Sequence, residues 1–307
     1  MTALSPSTAG SHRGPAGALG LTPDVLRVLE RLALPSRRPV FGTGAGQRRS
    51  RYHGGSPDLA DYRAYAPADD LRRIDWSAYA RLGRLYTRLY AGEEDACVTF
   101  WLDTSASMSW DEPGKERSAR AVAGALGFLA LAGEDRVACV GFSGGVVGRT
   151  GPLRGKRSAP TLWATLVQLE RGGTADWKTV AGHARSLPRG IAVVVSDFIS
   201  EPRLVRPALL ALREAGNEVV LVQVLSGEEL RPSLRGELCL VDAETGATVE
   251  VTLGRAALDA YQLARAAHAR AIAALASAYG ARFVSIDGSK PVRHILIDQL
   301  ARAGVIR

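Results

Sequence analysis

No apolar run in this sequence is long enough to cross a membrane. The longest, Ala121 to Gly133, covers 13 residues between Arg120 and Glu134, where a bilayer span needs roughly 20. The first 20 residues are rich in Ser, Gly, Ala and Pro and lack the apolar stretch of a secretory signal, so Met1 to Gly20 reads as a flexible leader. These absences predict a soluble, cytoplasmic protein. Cysteine is scarce. Cys97, Cys139 and Cys239 form no CxxC, and each falls in an apolar run that reads as a strand, which predicts buried thiols in a reducing compartment. The five histidines (His12, His53, His183, His268 and His294) show no HExxH spacing, which argues against a zinc enzyme. No GxxxxGK[ST] is present, which excludes ATP binding through a P-loop.

Lysine is missing from one stretch altogether. Between Arg37 and Arg88 stand eleven Arg, no Lys and five Asp, so this segment supplies six of the chain's net eight positive charges. Arg without Lys points to planar, bidentate pairing rather than diffuse steering.

What remains is an ordinary globular composition, 46% hydrophobic and 23% charged over 307 residues, enough for one large domain plus an accessory segment. Helical spacing spans Leu21 to Leu34, with Thr22 before Pro23 as N-cap and Pro35 as terminator. Phe41 to Gly55 reads as an extended loop, and Asp61 to Tyr90 is dense in Asp, Arg, Tyr and Trp. From Cys97 the pattern changes. Strands are expected at Val98 to Leu102, Asp135 to Phe142, Ile191 to Val195, Glu218 to Leu225 and Arg282 to Ile286, with Val146 to Thr150 as a short hairpin partner. Helices are expected at Lys115 to Leu131, Pro160 to Glu170, Trp177 to Leu187, Leu204 to Glu214, Arg255 to Tyr279 and Pro291 to Ala303. Leu238 to Val241 and Thr248 to Leu253 flank the turn Glu244-Thr245-Gly246, a hairpin insertion near 237–253. Strands alternating with such helices predict an α/β fold with a doubly wound, mostly parallel sheet. The expected organisation is a leader at 1–20, an N-terminal helix with the Arg-rich accessory segment at 21–96, and the α/β domain at 97–307.

In open α/β sheets, ligands collect at the carboxyl ends of strands. Three polar turns belong there. Asp103-Thr104-Ser105-Ala106-Ser107 follows the strand ending at Leu102, and alternate residues of an extended turn point the same way. Gly172-Gly173-Thr174 lies between two helices, and Ser196-Asp197 follows Val195. Two carboxylates with three hydroxyls suit a hard, octahedral, oxygen-seeking ion such as Mg²⁺, and no soft ligand joins them. Asp103, Ser105, Ser107, Thr174 and Asp197 are therefore the candidate metal ligands. Taken singly, Asp103 and Ser105, or Asp197, serve equally as caps of the helices that follow.

This pattern of DxSxS, then Thr, then Asp resembles the metal-ion-dependent adhesion site of von Willebrand factor A-like domains. That resemblance implies a carboxylate from Asp103, hydroxyls from Ser105, Ser107 and Thr174, and a water-mediated role for Asp197. It also implies an open position taken by a partner's acidic side chain. A narrower resemblance comes from Asp61-Tyr62-Arg63-Ala64-Tyr65, Asp69-Asp70-Leu71-Arg72-Arg73-Ile74-Asp75-Trp76 and Ala80-Arg81-Leu82-Gly83-Arg84-Leu85-Tyr86. These are similar to the signature of the domain of unknown function 58 family of bacterial proteins, with Ala68 where a Gly commonly stands. The similarity runs from about Gly42 to the Glu244-Thr245-Gly246 turn. It implies a von Willebrand A-like half and, as partner, an AAA+ ATPase of the MoxR type.

The Arg-rich block also has a reading of its own. Asp69, Asp70 and Asp75 lie within reach of Arg72, Arg73 and Arg81, so bidentate pairs would rigidify it. Trp76, Tyr79 and Tyr86 would pack it onto the α/β half. Arg72, Arg73, Trp76, Arg81 and Arg84 are the candidate second contact surface. Arg interleaved with aromatics also suits nucleic acid, although the five Asp argue against it. A haloacid dehalogenase-like phosphatase would need an Asp where Ser105 stands. The expectation is a non-enzymatic module that binds protein through a divalent metal, Mg²⁺ or alternatively Mn²⁺ or Ca²⁺.

Overall fold

A computed structural model describes residues 14–34, 41–42, 59–65, 74–90, 92–93, 97–109 and 114–307. The chain divides into two compact units, residues 1–35 with 97–307, and residues 36–96.

The larger unit is built on β1 (Cys97–Asp103), buried along its whole length. Its side chains alternate between two cores: Val98, Phe100 and Leu102 face one, and Trp101 faces the other, as a period of two requires. The same alternation runs through β5 (Gly190–Ser196) and β6 (Glu218–Leu225). With β2 (Arg136–Phe142), β3 (Val146–Arg149), β4 (Leu153–Arg154) and β9 (Arg282–Asp287), they form a seven-stranded sheet of order β9-β6-β5-β1-β2-β3, in which β4 also pairs with β2. The β9, β6, β5, β1 and β2 strands are mutually parallel, and β3 and β4 run antiparallel to β2. This is the expected α/β architecture with a mostly parallel sheet. The chain leaves β1 for β2 on one side and returns to β5 on the other. The carboxyl ends of β1 and β5 therefore flank the point where the winding reverses.

Helices cover both faces. On one lie α3 (Gly114–Ala132) and α4 (Ala159–Gln168), with α1 (Pro15–Ala18) and α2 (Pro23–Leu29). On the other lie α5 (Trp177–His183), α6 (Pro202–Glu214) and part of α8 (Arg255–Ala278). The leader boundary needs correcting. Residues 14–20 carry α1, and Leu19 and Leu21 are buried against the bare backbone of Gly124, where an added Cβ would stand 3.0 and 3.3 Å from their methyls. The following helix ends at Leu29 instead of Leu34, because Ala33 exchanges two backbone hydrogen bonds with the C-terminal Arg307. The N-terminal helices thus belong to the α/β unit and not to the Arg-rich one.

A two-stranded antiparallel hairpin, β7 (Gly236–Val241) and β8 (Thr248–Leu253), stands apart from the main sheet. A lone hairpin has no second layer to bury both faces, and most of its residues are exposed. Cys239 is consequently exposed, contrary to expectation, whereas Cys97 and Cys139 are buried. Two short elements carried no sequence signal: β4 and the single turn α7 (Gly227–Leu230). The closing helix is not continuous, since α9 (Val292–His294) gives way to a π-helical turn over Ile295–Leu300.

In the smaller unit, Leu59–Ala64 pairs antiparallel with Tyr86–Tyr90, and Phe41–Gly42 with Gly92–Glu93. A helix over Trp76–Leu82 is capped by Asp75, which accepts the N–H groups of Ser77 and Ala78 at 2.9 and 3.0 Å, and ends at Gly83 with φ +66°.

Candidate metal centre

The site begins at the carboxyl end of β1. Asp103 is fully buried. Its Oδ1 accepts the Ser105 N–H at 2.9 Å, and its Oδ2 accepts the Ser196 hydroxyl at 2.6 Å. The turn is then carried by a 3₁₀ segment, Ala106–Ser109, in which the hydroxyls of Ser105 and Ser107 lie 3.1 Å apart. The capping alternative is met only in part. Asp103 binds the backbone two residues on, ahead of this short turn, and not at the head of α3.

The second strand end supplies Ser196, Asp197 and Phe198. Ser196 is the hinge of the arrangement, donating to Asp103 while accepting the Phe198 N–H at 3.0 Å. Phe198 holds φ +51°, a costly conformation for a bulky residue. Burial fixes it there: its ring stacks on Trp177 at 5.4 Å between centroids, and its carbonyl accepts His268 Nε2–H at 2.6 Å. Asp197 is buried, with Oδ1 accepting the Ile199 N–H at 3.2 Å and Oδ2 accepting the Lys115 ammonium at 2.9 Å.

Lys115 carries no sequence signal beyond its place at the start of α3, yet it is buried between two carboxylates. Besides Asp197, its Nζ reaches Glu229 Oε1 at 2.7 Å. Glu229 closes a capping box in α7, its carboxylate accepting the Ser226 N–H at 2.7 Å. Burial alone would depress the Lys115 ammonium, but the charges of Asp197 and Glu229 more than offset it and hold its pKa above the ordinary lysine value.

The third loop is stitched to the first by backbone. Gly172 N–H donates to the Thr104 carbonyl and Ala106 N–H to the Gly173 carbonyl, both at 2.9 Å. Gly172 and Gly173 hold φ of +111° and +74°, open to glycine alone without strain. Thr174 follows directly and is exposed. A shallow depression beside these loops is lined by Ala106, Ser109, Arg171, Gly172 and Ala243.

Contacts thus gather Asp103, Ser105, Ser107 and Asp197 at two adjacent strand ends, with the Thr174 loop hydrogen-bonded to the first turn. The electrostatics are lopsided. Asp103 is pushed up to about 7 from 3.8, first by burial and second by the charge of Asp197, while bonds from Ser196 and Ser105 pull it back. Asp103, Asp197 and Glu229 are three carboxylates served by one ammonium, which leaves two negative charges in a buried setting. A divalent cation would supply that balance. The Asp103 oxygens already accept from the Ser196 hydroxyl and from the N–H and hydroxyl of Ser105, out of about four lone-pair sites on a carboxylate. Among the described residues no three His, Cys, Asp or Glu side chains are grouped to hold a metal. A cation here would accordingly rely on the serine and threonine hydroxyls and on water, a donor set that fits Mg²⁺ or Mn²⁺ rather than a softer ion.

Arg72, Arg73, Asp69 and Asp70 lie outside the described residues. Trp76 and Tyr79, expected as packing anchors, are 61% and 46% exposed and meet edge-on at 6.3 Å. Arg84 is exposed, and Arg81 is exposed with its Nε donating to the Ser77 carbonyl at 3.3 Å. Gly141 to Gly145 spells GxSxG, the pattern of a hydrolase nucleophile elbow. Here it forms the antiparallel β2–β3 turn instead of the strand–turn–helix that elbow requires. Lys115 and Glu229 carried no site signal in the sequence, and Ser196, placed in the third polar turn, was not among the candidate ligands.

Comparison with known proteins adds a family and a set of relatives. A family model described as "Protein of unknown function DUF58" matches residues 61–271. An uncharacterized protein of Mycobacterium tuberculosis and one of Mycobacterium bovis are each 27% identical over 271 residues, covering 86% of this chain and 85% of the relative. Another, from Mycobacterium avium, is 34% identical over 137 residues, 43% of this chain and 80% of its own. Among solved structures, the conserved hypothetical protein BatB from Bacteroides thetaiotaomicron matches with a TM-score of 0.42 at 16% identity, over 68% of this chain and 98% of its own. An aerotolerance-related membrane protein from Bacteroides fragilis gives 0.41 at 15% identity, over 67% and 99%.

Proposed function

The chain belongs to the family described as "Protein of unknown function DUF58", and from that premise we propose that it is a non-enzymatic, von Willebrand factor A-like binding module. In this reading a divalent cation, Mg²⁺ or alternatively Mn²⁺ or Ca²⁺, sits among Asp103, Ser105, Ser107, Thr174 and Asp197. It presents an open coordination position to an acidic side chain of a protein partner, for which the family resemblance suggests a MoxR-type AAA+ ATPase. The supporting observation is the pair of buried carboxylates at adjacent strand ends. Lys115 is shared between Asp197 and Glu229, whereas the donors to Asp103 are the neutral groups of Ser196 and Ser105. A hard cation beside Asp103 would hold that carboxylate ionised.

Surface plasmon resonance against a MoxR-type ATPase, with Mg²⁺ and then with chelator, tests this reading. Chelator and Asp103→Ala are each expected to weaken binding at least tenfold; equal affinity under all three conditions overturns it. A second reading draws on the exposed Trp76 and Tyr79 beside the exposed Arg81 and Arg84. Such a surface suits stacking on bases and neutralising phosphates, and binding to single-stranded DNA that falls steeply with salt would favour it.

A further inference from the structure

One carboxylate reaches the centre from outside its strand-end turns. Glu244 lies at the tip of the β7–β8 hairpin, in a turn built by Asp242, whose Oδ1 accepts the N–H groups of Glu244 and Thr245 at 3.0 and 2.7 Å and the Thr245 hydroxyl at 2.8 Å. Gly246 closes the turn with φ +71°. The turn is therefore preorganised, and it aims Glu244 away from its own strands. The Glu244 carboxylate lies near enough to Asp197, the Ser107 hydroxyl and the Ala175 N–H for each to act on its charge. Those partners come from the DxSxS turn and from the residue after Thr174, the two loops that Gly172 and Ala106 tie together. Ala243, next to Glu244, lines the depression beside them with Ala106, Ser109, Arg171 and Gly172. The residue as a whole is exposed, so the hairpin spends a solvent-facing acid on a contact with two loops rather than on its own packing.

We propose that Glu244 is the chain's own acidic ligand for the cation site, seated by the hairpin where a partner's carboxylate would otherwise enter. The inference rests on the cation reading above. Three features support it. An anion placed near the buried Asp197 carboxylate is repelled unless a cation lies between them. The polar groups nearest the Glu244 carboxylate are one hydroxyl already counted in the site and the backbone adjacent to a second. The two-stranded hairpin lies outside the main sheet, so it can lift without breaking that sheet. An external acidic partner then has to displace Glu244, and the hairpin sets how readily the site is shared.

Mn²⁺ alone serves as probe, followed by water-proton relaxation, which reports both affinity and the number of exchangeable waters on the bound ion. The full chain, Asp103→Ala, Glu244→Ala and Glu244→Gln are titrated. Asp103→Ala is expected to lose Mn²⁺ binding. Both Glu244 variants are expected to bind three- to tenfold more weakly, with a larger relaxation enhancement per bound ion because a water replaces the carboxylate. Amide exchange at Ala175 should also quicken in Glu244→Ala with no metal present. Wild-type affinity and enhancement in both Glu244 variants overturn this inference while leaving the cation reading intact if Asp103→Ala has lost binding. Undiminished binding in Asp103→Ala overturns the cation reading and this inference with it.

Discussion

Ser196 donates its hydroxyl to Asp103 across the β5–β1 strand pair at 2.6 Å. The register explains the contact, since Leu102 pairs with Val195 and the next residue on each strand, Asp103 and Ser196, is the last of its strand. One oxygen thus serves both strand ends, because it also accepts the Phe198 N–H. Ser196→Ala removes a donor from a buried carboxyl group and an acceptor from a buried amide. Chemical denaturation should show a loss of about 1–3 kcal/mol; a loss below about 0.5 kcal/mol would mean that this bridge contributes nothing.

Lys115 is the only cation that the described contacts place between Asp197 and Glu229. Truncating it leaves two buried carboxylates unpaired beside Asp103. Lys115→Met should destabilise the fold by about 3–5 kcal/mol, the usual cost of breaking one partner out of a buried pair. Adding Glu229→Gln should recover part of that loss in a double-mutant cycle. A Lys115→Met protein as stable as wild type would show that the charges are solvated.

The pH dependence follows from Asp103. Its folded-state pKa is raised to about 7 from an ordinary 3.8 by burial and by Asp197, against the pull of Ser196 and Ser105. A raised carboxyl favours the protonated form in the native state. Its contribution to stability is complete below about pH 4 and is lost as pH rises through about 7. In chelator, urea midpoints should therefore fall between pH 5 and pH 8, and Asp103→Asn should flatten that fall. A variant and wild type with parallel profiles would remove Asp103 as the cause.

Thiol accessibility separates the two kinds of cysteine. Burial pushes the Cys139 thiol up to about 12 and raises Cys97 as well, while Cys239 is exposed on the hairpin. A thiol reagent should modify one cysteine in the native protein and all three in denaturant. Rapid modification of Cys97 or Cys139 in the native state would contradict the buried placement of β1 or β2.

The parallel sheet and its strand-end acids were legible in the sequence because both rest on local pattern. Ile191 to Val195 is a continuous apolar run, as a strand buried on both faces must be, and the first acidic residue after it necessarily stands at the carboxyl end. Cys239 was misread for the same reason. The run Leu238 to Val241 looks the same whether or not a second layer covers it, and only the tertiary structure shows that none covers both faces. Lys115 and Glu244 were illegible for a different reason. Lys115 meets Asp197 across 82 residues and Glu229 across 114, and in sequence each is an ordinary charge in a first turn or a hairpin tip. The burial of Leu19 and Leu21 depends on space left by Gly124, a complementarity that periodicity does not record.

If Asp103 and its neighbours hold a divalent cation, thermal unfolding with and without Mg²⁺ reads it out. A ligand that binds only the folded state raises the melting temperature with its concentration. Mg²⁺ in the millimolar range should raise the Tm of the wild-type chain at pH 8 by several degrees, with chelator reversing the shift, and should leave Asp103→Asn and Ser105→Ala/Ser107→Ala unmoved. An equal shift in wild type and variants, or none in wild type up to ten millimolar Mg²⁺, would contradict the account.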